Sequence, residues 1–155
     1  MSNKYVTIET PKGEIVAELF DRDCPDTVAN FQRLAEQGFY DHTAVHAVAP
    51  GRMLEAGDPL SRELPSGDPR LGTGGPDWTI RCEYVGNRRR HEEGALTMLT
   101  HGPDTGGSRF GIVLDPEGIP ERDGAHTVFG QIEEGLEVAR SLEVGDRLEV
   151  VRVWE

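Results

Sequence analysis

Two strand-like runs, YVTIET and GEIVAELF, stand on either side of Pro11-Lys12-Gly13 at the head of the chain. β-Branched and apolar residues interrupted by Pro and Gly form a tight hairpin, so the protein begins as antiparallel sheet. The same texture returns downstream, where WTIRCEY, GALTML, RFGIVL and HTVFGQI are short strand-like pieces separated by turns such as GPDTGG and DPEGIP. Many short strands with Gly/Pro turns call for a sandwich or a barrel. The final stretch, RLEVVRVWE, has strand character too. Paired with the first strand, it would close a barrel and remove its free edges.

Helical spacing occurs in two places. From Asp26 to Gln37 the apolar positions Val28, Phe31, Leu34 and Ala35 recur on one face, with Pro25 near the start and Gly38 just past the end. A second, short helix is expected from about Leu136 to Leu142, with Leu136, Ala139 and Leu142 together. Between Asp58 and Gly75 the chain is dense in Gly, Pro, Ser and Asp and too poor in apolar residues to bury itself. It reads as a long surface loop bordering a functional site, since long loops in compact domains usually carry function. A chain of 155 residues fits one domain, 1–155, which buries roughly 70% of its unfolded surface.

Charge and composition exclude several partners. Sixteen Lys and Arg stand against twenty-eight Asp and Glu, a net charge of −12, which repels phosphate backbones, so nucleic acid is not expected. The basic run Arg88-Arg89-Arg90 reads as a solvated turn. No apolar stretch of signal-peptide or membrane-spanning length occurs, and the chain is expected to be soluble, cytoplasmic and monomeric. Cys24 and Cys82 lie far apart and outside any C-x-x-C pattern, so two reduced thiols are expected, with no zinc site.

Common catalytic signatures are missing: there is no G-x-S-x-G, no Walker A loop and no H-E-x-x-H. GTGGPD, from Gly72 to Asp77, follows a loop and lacks the third spaced glycine of a dinucleotide fingerprint. His42 and His46 share a face if they lie on one strand, but no carboxylate or thiol pattern completes a metal site, and packing or peptide contact is the expected role. His91, His101 and His126 stand singly.

Read together, TVANFQRLAEQGFYD, VHAVAPGRMLEAGDP, GTGGPDWTIRCEY, HEEGALTML, GGSRFGI and DGAHTVFGQIEEGLEV occur in the order seen in cyclophilins. The chain resembles a short bacterial-type cyclophilin over nearly its full length. The resemblance implies a mainly β fold, a closed eight-stranded antiparallel β-barrel capped by two α-helices, with a peptide groove on its outer face. It also implies peptidyl-prolyl cis-trans isomerase activity on Xaa-Pro bonds, needing no metal and no cofactor. In the family an arginine aims a donor at the prolyl nitrogen, which regains its lone pair as the C–N bond twists.

The departures fall in the groove. The family's Phe-His-Arg reads Val45-His46-Ala47 here, so the catalytic arginine is replaced by Ala47. Pro-Gly-Phe-Met-x-Gln becomes Pro50-Gly51-Arg52-Met53-Leu54-Glu55, with a guanidinium for a pocket ring and a carboxylate for a binding amide. Gly-Ser-Gln-Phe-Phe becomes Gly107-Ser108-Arg109-Phe110-Gly111, and an aromatic-leucine pair before Asp-Gly becomes Glu121-Arg122. Matched by residue type are His46, Met53 and His126.

Two functional readings follow. In the first, the chain is a weakened or altered isomerase in which Arg109, paired with Glu55 and aided by His46, stands in for the missing cation. Proline-containing peptides would then lie on Ala47, Arg52, Met53, Leu99, Thr100, Phe110, Gly111, Glu121, Arg122 and His126. In the second, Arg52, Arg109 and Arg122 make the groove a non-catalytic module for acidic peptide segments or a C-terminal carboxylate. A scaffold with no ligand in the groove is the plainest alternative.

Overall fold

Thr10 closes the first hairpin: its hydroxyl donates to the Gly13 carbonyl at 2.8 Å and accepts the Lys12 amide at 3.2 Å. The turn joins β1 (Lys4–Thr10) to β2 (Gly13–Leu19), and Gly13 takes a φ of 133° that favours glycine. The computed structural model describes residues 3–49, 52–83, 87, 89–102, 104–118 and 126–155.

The elements that follow are α1 (Pro25–Glu36), β3 (Thr43–Ala44), β4 (Ala47–Ala49), β5 (Met53–Ala56) and a 3-10 turn at Pro59–Arg62. Then come β6 (Ala95–Met98), β7 (Phe110–Val113), a second 3-10 turn at Pro116–Gly118, β8 (Val128–Glu134), α2 (Leu136–Ser141), β9 (Arg147–Leu148) and β10 (Val150–Trp154). Eight strands form one curled sheet in the order β10-β1-β2-β8-β6-β7-β5-β4, and β3 pairs separately with β9.

The last strand does pair with the first, with Tyr5 opposite Trp154 and their rings stacked at 4.8 Å. The expected closed barrel is nevertheless a half-barrel: among the described residues β10 and β4 share no ladder. The cause is local. Just before each of these end strands the chain diverts into the β3–β9 pair, where Val45 donates to Asp146 and Gly145 donates to Val45. These bonds join the two segments that lead into β4 and β10, outside the eight-stranded sheet.

WTIRCEY is also not a strand; among the described residues it contributes only an isolated bridge between Ile80 and Gly106. Side chains satisfy its backbone instead, with Cys82 N donating to Asp104 and Glu83 N donating to Thr127 Oγ1. Trp78 packs against the core, with its indole N–H donating to Asn30 Oδ1 at 2.8 Å and the Arg33 guanidinium 4.6 Å from its ring centroid.

The core lies inside the curl. Val28, Phe31 and Leu34 of α1 are fully buried, and Phe31 sits 4.9 Å from Tyr40, 5.7 Å from Phe110 and 5.2 Å from Phe129. Such pairs add about 0.5–1.5 kcal/mol each beyond their burial. α1 lacks a side-chain cap of its own, and Glu83 reaches in from a distant segment to accept the amides of Thr27 at 2.6 Å and Asp26 at 3.3 Å.

Candidate functional site

Strand pleating sorts the residues of β5 and β7. Leu54, Ala56, Phe110 and Ile112 face the core and are almost wholly buried. Their alternates Met53, Glu55 and Gly111 face outward, and so does Arg109, the residue just before β7, which lines the cleft described next. Register then brings Ala47, Glu55, Gly111 and Thr97 into one row across β4, β5, β7 and β6. Arg109 lies diagonal to Glu55 on that face, but the expected Arg109–Glu55 ion pair is not formed: Glu55 Oε1 stands 3.7 Å from His46 Nε2 and acts on Arg109 only through its field.

At the Ala47–Glu55 end of the row is a cleft of about 580 Å³ lined by His46, Ala47, Glu55, Leu99, Thr100, Arg109 and His126, with Gly67, Asp68, Pro69, Leu71, Gly72 and His101 at its rim. The loop read from sequence as bordering a site supplies five of those rim residues. Arg109 is 8% exposed. Burial lowers the pKa of its guanidinium, while Asp58 and, more weakly, Glu55 oppose that shift. It stays a cation at neutral pH, because arginine is not deprotonated in proteins.

The backbone around Arg109 is fixed on both sides. Tyr40 donates to the Ser108 carbonyl at 2.9 Å, Ser108 Oγ donates to the Gly57 carbonyl at 2.7 Å, and Asn30 donates to the Gly107 carbonyl at 2.8 Å. The Arg109 carbonyl accepts the Leu99 amide at 3.0 Å. His46 is 3% exposed in its side chain, and Glu55 Oε1 stands 3.7 Å from its Nε2. Neither ring nitrogen has a hydrogen-bond partner among the described residues. Thr100 Oγ1 lies 3.4 Å from His126 Nδ1.

Other residues named from sequence fall elsewhere. Phe110 belongs to the core, because the pleat that turns Arg109 outward turns it in. Arg52 is exposed on the turn before β5, and Met53 and Gly111 lie beside the cleft without lining it. Glu121 and Arg122 are outside the described residues. His42 and His46 do not share a strand face, since His42 sits in a turn with φ 67° and is exposed.

Sequence reasoning missed Asp58. It is fully buried and accepts the amides of Leu60 at 2.9 Å, Gly72 at 2.6 Å and Gly74 at 3.2 Å. Its signal was legible: an aspartate directly before Pro59 marks the start of a helical turn.

The cleft offers a buried cation, carboxylates and hydrogen-bonding groups. No trio of His, Cys, Asp or Glu among the described residues is arranged to hold a metal ion. Peptide-bond isomerisation makes and breaks no covalent bond, so donors and a field suffice for it.

Residues 5–153 match the family model described as "Cyclophilin type peptidyl-prolyl cis-trans isomerase/CLD". Peptidyl-prolyl cis-trans isomerase B of Bacillus subtilis is 46% identical over 153 residues, covering 99% of each chain. A peptidyl-prolyl cis-trans isomerase of Synechococcus elongatus is 45% identical, covering 94% of this chain and 93% of its own. In fold, the chain is similar to a cyclophilin type peptidyl-prolyl cis-trans isomerase of Cryptosporidium parvum, with a TM-score of 0.85 at 24% identity and 99% of each chain covered. A second structure of that protein was determined in the presence of the dipeptide Ala-Pro. The family match over nearly the whole chain, the near-full-length relatives and the shared curled sheet have one conclusion: this chain belongs to the cyclophilin-type peptidyl-prolyl cis-trans isomerases.

Proposed function

We propose that the chain is a peptidyl-prolyl isomerase of reduced activity in which Arg109 supplies the cation that Ala47 cannot. The observation that carries this reading is that Arg109, largely buried as a residue, lines the same cleft as Ala47 and Glu55. A planar Xaa-Pro amide has its nitrogen lone pair in resonance, behind a barrier of about 18–20 kcal/mol. Twisting the C–N bond frees the lone pair, and a fixed donor near it binds the twisted amide better than either planar form. Arg109 is suited to the task because the backbone around it is held by hydrogen bonds at Gly107, Ser108 and Arg109 itself, and its fork can face a carboxylate while presenting a further N–H.

Substrates are Xaa-Pro segments of peptides or proteins, in keeping with the relatives' activity and with the Ala-Pro dipeptide used with the Cryptosporidium protein. The acid-seeking module draws less support. Arg109 already lies in the field of two carboxylates, Asp58 and Glu55, and the chain as a whole carries −12. An incoming acidic segment would meet repulsion as well as attraction.

Exchange NMR on Ala-Pro-containing peptides tests the proposal. Cross-peaks between cis and trans forms should grow with added protein, for peptides with neutral and acidic flanks alike. No acceleration at high protein concentration would remove the isomerase reading. A salt-sensitive shift of cleft resonances with acidic peptides, again without acceleration, would favour the binding module.

A further inference from the structure

Among the described residues, His46 alone has buried side-chain polar atoms without a hydrogen bond: Nδ1 and Nε2 are both covered, and the side chain is 3% exposed. A neutral imidazole donates from one nitrogen and accepts at the other, and the bond made by one fixes where the proton of the other sits. Folded proteins supply buried polar groups with a partner, either from the chain or from ordered water.

The ring stands between two spaces. On one side is the cleft, where Glu55 Oε1 lies 3.7 Å from Nε2 and a Cβ placed on Gly72 would lie 3.8 Å from it. On the other is a cavity of about 90 Å³, between the loop that follows β5 and the β3–β9 pair. His46 and Leu71 are the lining residues that the two spaces share.

The cavity is polar as well as roomy. Ser61, Ser66 and Arg147 line it beside His46, and Ser66 and Arg147 are exposed, so that solvent reaches it from their side. Arg147 gives one N–H to the His42 carbonyl at 2.6 Å, which leaves further guanidinium donors. A volume of 90 Å³ has room for about three waters at roughly 30 Å³ each, and a held water needs two to four polar partners.

We infer that this cavity is a hydration site built around His46: water entering past Ser66 and Arg147 donates to Nδ1, and the imidazole therefore carries its proton on Nε2, aimed at Glu55. His46 is then a positioning residue. Its N–H helps to hold the carboxylate that Arg109 does not bind, which leaves the Arg109 donors for the substrate. The hydration site stands on the imidazole and the cavity alone, while its bearing on Arg109 rests on the isomerase reading.

The probe is water itself. In folded wild-type protein, long-range proton–nitrogen spectra of the His46 ring should show the Nε2–H tautomer, and water-to-ring cross-relaxation should carry the sign of a long-lived bound water. Both signals should persist when an Ala-Pro-containing peptide saturates the cleft, because the water arrives from the other side. Ala44 also lines the cavity and is 7% exposed. Ala44→Leu, shown to be folded by its amide spectrum, should lose the water signal and populate the Nδ1–H tautomer; the wild-type spectra decide the matter even where that variant does not fold.

An Nδ1–H tautomer in wild type, or no long-lived water at the ring, would overturn the hydration site. Water displaced by peptide, or retained unchanged in Ala44→Leu, would overturn its place in this cavity. The expected tautomer and water without any acceleration of Xaa-Pro exchange would uphold the site and remove the isomerase reading.

Discussion

The carboxylate of Asp58 accepts the amide of Gly72 at 2.6 Å, tying the rim of the cleft to the end of β5. The same carboxylate is the stronger of the two that act on Arg109. One buried aspartate thus shapes both the loop and the field in which the proposed catalytic cation sits. Asp58→Asn should lower stability by about 2–4 kcal/mol, because a buried charged acceptor of several amides is replaced by a neutral one. Chemical denaturation reads the loss, and faster hydrogen exchange at Gly72 and Gly74 would locate it. Gly74→Ala should act in the same direction, since its Cβ would clash with the Asp58 carboxylate and Leu60.

Glu83 caps α1 from outside the helix. Glu83→Ala should cost about 1–2 kcal/mol, the usual range for losing an N-terminal cap together with a favourable dipole contact. Thermal unfolding checks this. A shift in stability with cleft resonances unmoved is the expected pattern, as Glu83 is not among the cleft-lining residues.

Asp68, at the rim of the cleft, accepts from Arg70 Nε at 3.1 Å and Nη2 at 2.9 Å. The guanidinium lowers its pKa from 3.8 to about 2. A depressed carboxylate pKa stabilises the fold fully above the unfolded value, near pH 4, and that contribution is lost as the pH falls through about 2. Carbon-detected titration of the Asp68 carboxyl should give a midpoint near 2, and Arg70→Gln should return it toward the ordinary range.

Restoring the family arginine alone should help little. Ala47→Arg adds a second cation in the cleft that Arg109 lines, but it returns no apolar side chain at Arg52 or Gly111, where the family has rings. Less than a tenfold gain in kcat/KM is expected from that single change, measured by exchange NMR.

Much of the fold could be read from residues alone because its signals are local. Pro11-Lys12-Gly13 specifies a hairpin, and Val28, Phe31, Leu34 and Ala35 specify a helix face, which the structure places within a residue or so of the expected ends. What could not be read was long-range competition for backbone partners. Nothing in WTIRCEY reveals that Asp104 and Thr127 side chains will take its amides, and nothing in RLEVVRVWE reveals that the seam will be held by β3 and β9.

The candidate site was legible at the level of which residues gather and opaque at the level of where they point. Of the residues that the resemblance gathered into one groove, His46, Ala47, Glu55, Leu99, Thr100, Arg109 and His126 line one cleft, whereas Arg52, Met53, Phe110 and Gly111 do not, and Glu121 and Arg122 lie outside the described residues. Pleating alone would have turned Phe110 inward once Arg109 was set outward. The burial of Met53 against Gly111 depends on side-chain torsions, for which a sequence carries no local signal.

Arg109 is the residue on which the proposed activity depends. Exchange NMR on one Ala-Pro-containing peptide, comparing wild type with Arg109→Gln and Arg109→Lys at matched concentration and verified folding, tests it most directly. Loss of a transition-state donor predicts a fall in kcat/KM on the order of a hundredfold for Arg109→Gln, with partial retention in Arg109→Lys. Wild-type rates in Arg109→Gln would contradict the claim that this guanidinium has taken over the work of the arginine missing at Ala47.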